Sequence, residues 1–477
     1  MTSKQKQAAA ELELRKRERM TFVEYVNRAF PQYVWHEHNK RIADVLERIV
    51  RGEVKRAMFF VPPRHGKSDA ISRSFPGYFL RKNLTKWVGL ASYSATLAQS
   101  LSRDARDRYI ESGREVRDDV SGTAEWMTQK NGGLWAQGVG GSITGKGFDL
   151  GIIDDPISNA EEALSQNQRN KVWEWWQSVF YTRQHPGAAI ILIMTRWHED
   201  DLAGRLLSQE SKQPEHWHIV NFEAIKEQAP TIAIPETCTL EPDWRKTGEA
   251  LSPAQYDVDA LMRTKGQLGS MFWNALYRQS PVSLGGDIWK SEWFKVYDAG
   301  DSRLNIQDVG RHWDTAETSN EENAAVAFVE AGKDPYTGNI YVSDCGWNWL
   351  EVPDTLRWMK ESKVHYIEAK SSGKSLAQFL RLHGIYAKEV SVHGDKVARA
   401  RLASVPAENG KVFIERRIWD KIINDPNQGI VRFPNGKYKD LADAFSMALT
   451  RLGTRIVNLD GDRVKIAPNM ISQVRGF

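Results

Sequence analysis

The feature that most constrains this chain is a series of short apolar runs set among helix-compatible stretches. AMFFV (57–61), KWVGLAS (86–92), DLGIID (149–154) and AAIILIM (188–194) all fall between residues 21 and 194. A strand that is apolar on both faces has no side to turn to water, so it belongs inside a sheet covered on both sides. Such strands separated by helices predict a parallel α/β sheet. At roughly 150 residues per domain, 477 residues leave room for two or three domains. With 41% hydrophobic and 26% charged residues the chain reads as globular.

Along the chain, residues 1–20 form a charged arm, 21–213 the first α/β domain, and 214–286 a proline-containing stretch read as a helical lid subdomain and linker. A second α/β domain follows at 287–457, with a tail at 458–477. In that second domain VGRHWDTA (309–316), AAVAFVEAG (324–332) and NIYVSDCG (339–346) read as successive strands, with DPYTGN (334–339) as a hairpin turn. VHYIEAK (364–370) is a later strand, and a helix begins at Asp440.

The first domain carries a phosphate-binding signature. Val61-Pro62-Pro63-Arg64-His65-Gly66-Lys67-Ser68 follows an apolar strand and precedes a helix, the setting of a phosphate loop, although Val61 stands where that pattern has glycine. Gly66 lets backbone N–H groups approach phosphate oxygens, Lys67 reaches the β- and γ-phosphates, and Ser68 can ligate Mg²⁺. Arg64 and His65 complete the loop. Further on, Asp154-Asp155-Pro156 ends another apolar strand, which places Asp154 to hold Mg²⁺ and Asp155 to orient an attacking water. Thr195, at the tip of a third strand, is either a γ-phosphate sensor or the start of a helix cap.

The second domain carries a set of acids. Asp314 and Glu368 end strands, and Asp440 and Asp443 share one helix face at i,i+3 spacing. Carboxylates from separate elements suit Mg²⁺ or Mn²⁺, and two such ions about 4 Å apart would serve phosphodiester cleavage. Acids in this order on an α/β sheet predict an RNase H-like nuclease. Lys370, Lys374, Lys396, Arg399 and Arg401 lie nearby in sequence, placed to hold a DNA backbone.

Charge and cysteine content narrow the setting. Lys+Arg 65 against Asp+Glu 61 gives +4, which excludes a histone-like polycation but leaves local basic faces open. Two cysteines, Cys238 and Cys345, exclude a disulfide framework and a Cys-rich zinc site and suggest a reducing cytosol. The longest apolar run is far short of the ~20 residues of a membrane span, and the N-terminus has no apolar signal core. The tryptophans, including Trp173, Trp175 and Trp176, are expected in the core.

PPRHGKS (62–68), GSITGKGFDLGIIDDP (141–156), TRWHEDDLAGRLL (195–207), HWDTAET (312–318), YIEAKSSGKSL (366–376), GDKVARA (394–400) and FPNGKYKDLADAFSMAL (433–449) together resemble the large terminase subunit of tailed bacteriophages. The resemblance implies an N-terminal P-loop NTPase domain of the ASCE type and a C-terminal RNase H-like nuclease domain. It implies Lys67, Ser68 and Asp154 as ATP and Mg²⁺ ligands, Asp155, Glu161 or Glu162 as the base, and Thr195 in the coupling motif. Lys146 occupies the place of a finger acting on a neighbouring subunit's ATP, with Arg64, Arg103 and Arg205 as alternatives. Trp35, His36 and His38 fall where adenine contacts are expected. Asp314, Glu368 and Asp443 resemble the metal triad, Asp440 a fourth ligand, and Glu321 or Glu322 a further acid.

The implied activity is ATP-driven movement of double-stranded DNA into a procapsid, with metal-dependent cutting of concatemeric DNA. Its implied partners are the portal protein, a small terminase subunit and further copies of the chain in a pentameric ring, in the host cytoplasm and transiently at the portal vertex. A DNA-translocating helicase or repair ATPase with a nuclease domain is the second reading, and a structural capsid-vertex protein the third.

Overall fold

The computed structural model describes residues 19–141, 145–228, 232–281, 288–301, 303–315, 325–360, 364–368, 379–390 and 395–453. The chain divides into two compact units, Met1–Lys265 with Ser270–Val282, and Gly266–Gly269 with Ser283–Phe477.

The first unit is built on a nine-stranded sheet. Its strands are β1 (Arg56–Phe60), β2 (Trp87–Ser92), β3 (Val116–Ser121), β4 (Glu125–Thr128), β5 (Gly133–Gly138), β6 (Phe148–Asp154), β7 (Gln184–Ile193), β8 (His218–Asn221) and β9 (Thr239–Leu240). They lie in the order β3-β4-β5-β2-β6-β7-β1-β8-β9. From β5 to β9 every neighbouring pair is parallel, while β3 and β4 close one edge antiparallel.

The two-faced strands behave as their composition predicts. In β1, Ala57 and Phe59 join the core on one face and Met58 and Phe60 the core on the other. In β7, Ile191 and Ile193 alternate in the same way with Ile190 and Leu192. Helices Phe22–Ala29, Glu37–Val50, Phe75–Lys82 and Ala95–Glu111 cover the first face; Gln166–Trp175 and Leu202–Gln209 cover the second. Trp175 and Trp176 are buried, and Trp173 packs against the same core, as expected. Because β1, β6 and β7 are parallel neighbours, the loops leaving their C-terminal ends emerge on one rim, where open α/β sheets bind ligands.

The stretch 214–286 departs from the helical reading. It contributes β8 and β9 to the first sheet, and its helix, Val258–Phe272, is interrupted at Gly269 with φ 73°. HIVN is too short to show a period, but all four residues are buried beside β1, so tertiary neighbours make this strand.

The second unit holds a seven-stranded sheet of β10 (Lys295–Tyr297), β11 (Gln307–Asp314), β12 (Val326–Lys333), β13 (Ile340–Asn348), β14 (His365–Glu368), β15 (Ala387–Val390) and β16 (Val412–Glu415). The order is β10-β16-β13-β12-β11-β14-β15. β11, β12 and β13 form an antiparallel meander, and β14 and β15 run parallel to β11 on its other side. This is the RNase H-like arrangement. The hairpin at DPYTGN forms as expected, with Asp334 accepting from the Tyr336 N–H at 2.8 Å and Gly338 in the left-handed region at φ 72°. Helix Asp440–Gly453 buries its apolar side against the sheet, with Leu441, Phe445, Ala448 and Leu449 in one core with Ala327, Val329 and Ala331 of β12.

Candidate active sites

In the first unit the loop after β1 turns through two left-handed residues, Arg64 at φ 64° and Gly66 at φ 77°. Val61, where the general pattern has glycine, is buried, and the positive φ angles fall later in the loop. The loop is braced from below by the start of helix Glu37–Val50. His38 Nε2 and Asn39 Nδ2 donate to the His65 carbonyl at 2.8 and 3.0 Å, and His65 Nδ1 donates to the Pro63 carbonyl at 2.9 Å. Burial lowers the pKa of His38 to about 3 and of His65 to about 4, so both rings are neutral near pH 7. His38, expected near adenine, is thus a brace of the phosphate loop. A Cβ on Gly66 would stand 3.0 Å from the Tyr33 hydroxyl and 3.3 Å from Asn39 Nδ2.

Lys67, Asp155 and Thr195 meet on the rim. Lys67 Nζ donates to Thr195 Oγ1 at 2.9 Å and lies 3.7 Å from Asp155 Oδ2, while Asp155 Oδ1 accepts from the Thr195 N–H at 2.7 Å. Strand order explains the meeting: β7, which leads directly into Thr195, lies between β1 and β6. Asp155 reaches back through φ 43°, a left-handed angle that Asp tolerates better than most residues. Asp154 is 3% exposed. Burial first and Asp155 second raise its pKa to about 6, against the hydroxyls of Ser72 and Ser68, which favour its ionised form. Ser72 donates directly to Asp154 Oδ2. Sequence reasoning missed Ser72, although its place four residues after Ser68 was a usable signal.

Three of the finger candidates and Glu162 have side-chain partners of their own. Lys146 pairs with Glu125, and Arg205 is committed to Asp200 at 2.7 Å and to Asn170 at 2.8 Å. Arg103 reaches Ser100 Oγ at 3.3 Å. Glu162 is occupied by the Ser158 hydroxyl at 2.7 Å, so its carboxylate closes a local helix start.

In the second unit Asp314 and Glu368 end adjacent parallel strands, β11 and β14. The first turn of helix Asp440–Gly453 brings Asp443 to them, and these three carboxylates offer oxygens within 4.8 Å of one another. Oxygen donors at that separation fit Mg²⁺ or Mn²⁺. Asp440 stands beside that group, where Oδ2 accepts from the Ala325 N–H at 3.0 Å and Oδ1 faces Lys396 at 3.4 Å. Burial raises the pKa of Asp314 to about 7, helped by the neighbouring Asp443 and Asp440 and opposed by Lys396.

Lys396 and Arg399, read from sequence as DNA-backbone contacts, are turned to the carboxylates instead. Lys396 Nζ lies 2.6 Å from Asp314 Oδ2 and 3.3 Å from Asp443 Oδ2. Arg399 Nη2 donates to Asp443 Oδ1 at 2.6 Å and Nη1 to Glu368 Oε1 at 3.1 Å. Both residues share one face of helix Lys396–Ala403, so the helix turns them together onto the carboxylates. Lys370, Lys374, Glu321 and Glu322 lie outside the described residues.

The sequence profile described as "Terminase large subunit, T4likevirus-type, N-terminal" matches residues 58–296, half of the chain. The chain belongs to the terminase large-subunit family. Large terminases are DNA-packaging ATPases and nucleases, and the two units of this terminase carry the corresponding folds. The large terminase of a thermophilic bacteriophage matches with a TM-score of 0.50 at 10% identity, over 80% of this chain and 88% of that one. The same phage protein in complex with ADP gives 0.48 at 10% identity, over 85% and 97%. The large terminase nuclease of thermophilic phage G20c with bound magnesium gives 0.24 at 14% identity, over 35% of this chain and 98% of that one. No match is found among the curated proteins. No described helix of the terminase is long and apolar enough to cross a membrane.

Proposed function

We propose that this terminase uses ATP hydrolysis in its first unit to drive double-stranded viral DNA through a portal into a procapsid, and cuts concatemeric DNA in its second. The observation that carries this reading is that one chain brings together a Lys67–Thr195–Asp155 knot beside Asp154 and a separate Asp314–Glu368–Asp443 cluster. When ATP binds, Lys67 exchanges Asp155 and Thr195 for the β- and γ-phosphates. Asp155 is then released to orient the attacking water, and Thr195, on the tip of β7, carries the change into the sheet. Ser68 and Asp154 would hold the Mg²⁺ that neutralises phosphate charge.

In the second unit Asp314, Glu368 and Asp443 would hold Mg²⁺ or Mn²⁺, which would activate water and stabilise charge at phosphorus. Arg399 orients Asp443 and Glu368. Asp440 supports the site by tying Ala325 to it. Lys370 and Lys374 hold the DNA backbone. Lys146, which pairs with Glu125 on its own chain and is 42% exposed, exchanges that partner for a neighbouring subunit's ATP. The chain assembles as a pentameric ring on the portal in the host cytoplasm, and a small terminase subunit selects where packaging begins.

The test is ATP-dependent protection of DNA from added nuclease in the presence of procapsids. Protection that needs both ATP and procapsids is expected. Unwinding of a forked duplex with no procapsid dependence would instead establish the helicase reading.

A further inference from the structure

The phosphate loop of the first unit is short of donors. Pro62 and Pro63 have no backbone N–H, so the groups that can meet a phosphate oxygen begin at Arg64. With so few of them, the direction of each one matters. The peptides of this loop are trans, and a planar trans peptide has its carbonyl and its N–H on opposite edges, so whatever holds the carbonyl also aims the N–H. Three carbonyls in a row are held. That of Pro63 accepts from His65 Nδ1 at 2.9 Å, that of Arg64 from Gln255 Nε2 at 3.1 Å, and that of His65 from both His38 Nε2 at 2.8 Å and Asn39 Nδ2 at 3.0 Å.

The donors from outside the loop come from two places. His38 and Asn39 lie in the first turn of helix Glu37–Val50 and are 0% and 1% exposed, so water does not compete for the His65 carbonyl. A carbonyl only accepts, which fixes the His38 proton on Nε2. Asn39 is held in turn, since its Oδ1 accepts from the His36 N–H at 3.2 Å. Gln255 lies in the 214–286 stretch, in a turn closed by the Ser252 carbonyl, which accepts from the Gln255 and Tyr256 N–H groups at 2.9 and 2.8 Å. The Tyr256 ring stands beside that of His65, with centroids 5.3 Å apart. Because the His65 carbonyl is turned toward helix Glu37–Val50, the Gly66 N–H faces the other way; because the Arg64 carbonyl is turned toward Gln255, the His65 N–H faces away from it. Left-handed angles at Arg64 and Gly66, φ 64° and 77°, belong to the kind of backbone in which successive N–H groups gather round an anion.

We propose that His38, Asn39 and Gln255 are positioning residues for the polyphosphate of ATP: they hold the His65 and Arg64 carbonyls outward and so aim the Gly66 and His65 N–H groups at phosphate oxygens. This rests on the nucleotide reading of the same loop. It gives His38 a role that does not involve the base, and it gives the 214–286 stretch a part in nucleotide binding through Gln255, a residue that no sequence motif marks.

The experiment compares equilibrium binding of ATP and of inorganic tripolyphosphate, which has no base, to the full chain by calorimetry with Mg²⁺ present. His38→Leu and Asn39→Ala should each weaken both ligands alike, by roughly 3- to 10-fold. The double variant should lose more than the product of the two, because either donor can hold the shared carbonyl alone. His38→Gln, which offers an amide N–H at a similar reach to Nε2, should bind both ligands within about twofold of the wild type. Gln255→Ala should weaken both by roughly 2- to 5-fold, and because Gln255 is exposed it tests the idea even if a buried variant fails to melt cooperatively. Loss of ATP affinity in His38→Leu with tripolyphosphate affinity unchanged would overturn the proposal and return His38 to the base. Full affinity in the double variant or in Gln255→Ala would overturn it too, as would a His38→Gln as weak as His38→Leu. If Lys67→Ala binds both ligands as the wild type does, the nucleotide reading of the loop falls instead, a result separate from all of these.

Discussion

Ser72→Ala removes one hydroxyl that no solvent reaches, and its effect should depend on pH in a way that identifies its partner. Ser72 is 0% exposed and donates to Asp154 Oδ2, an acid whose pKa burial and Asp155 have already raised to about 6. Among the influences on Asp154, the Ser72 hydrogen bond favours the carboxylate, so deleting it raises the pKa further. For an acid with a raised folded pKa, its contribution to stability is complete below the unfolded value of 3.8 and is lost as pH rises through the folded value of about 6. The variant therefore loses most above that point. At pH 8 it forfeits a hydrogen bond to a charged group, about 1.5–3 kcal/mol; at pH 5 it forfeits one to a largely neutral acid, about 0.5–1.5 kcal/mol. For a unit of this size each kcal/mol moves Tm by roughly 2–4 °C, so the loss should be about 3–12 °C at pH 8 and clearly smaller at pH 5. Affinity for Mg²⁺-ATP should fall by roughly 10- to 100-fold at pH 7 and recover partly toward pH 8.5, as expected for the partner of a metal-holding carboxylate. The assays are melts of the full chain across pH and equilibrium binding of a fluorescent ATP analogue with Mg²⁺. An equal Tm loss at both pH values, with no pH dependence in binding, would refute the assignment of Ser72 to Asp154.

Two further outcomes follow from the loop beneath that acid. Gly66→Ala should weaken ATP binding by roughly 5- to 30-fold, because a side chain at φ 77° costs about 1–2 kcal/mol and its Cβ would sit 3.0 Å from the Tyr33 hydroxyl; Mn²⁺-dependent DNA cleavage should persist, and unchanged ATP affinity would refute the packing argument. Burial depresses His38 to about 3 and His65 to about 4, so their neutral forms stabilise the first unit above pH 6.5 and that stability is lost as pH falls toward 4; His38→Gln should flatten the acid limb of the melt.

Legibility in the sequence followed the physics of each element. Strands buried on both faces, such as AMFFV and AAIILIM, announce themselves because an apolar run of five to seven residues with charged or polar flanks is long enough for a strand and too short for a helix. VRDDVS is a strand only because it pairs with β4 at an edge, and HIVN only because it lies against β1 among prolines; neither carries a local signal. The acids were legible for the same reason as the strands: Asp154, Asp155, Asp314 and Glu368 each stand at the end of one, and strand ends converge on a rim. What a chain position cannot state is which neighbour a charge will find. Lys396 and Arg399 look like a basic face when read along GDKVARA, yet helix Lys396–Ala403 turns both onto carboxylates that arrive from β11, β14 and the helix at Asp440. A cation beside an acidic site has two possible partners, the DNA outside and the acids within, and burial decides between them. At 7% exposure, Arg399 is already paired before any duplex arrives. The same reasoning applies in the first unit, where Lys67 is held by Asp155 and Thr195 before any nucleotide arrives. There the partners stand just past the ends of two adjacent parallel strands, Asp155 after β6 and Thr195 after β7. At the nuclease site Arg399 is the buried partner of Asp443 and Glu368, whereas the Lys396 side chain is 34% exposed and is the cation that water can draw away from the acids.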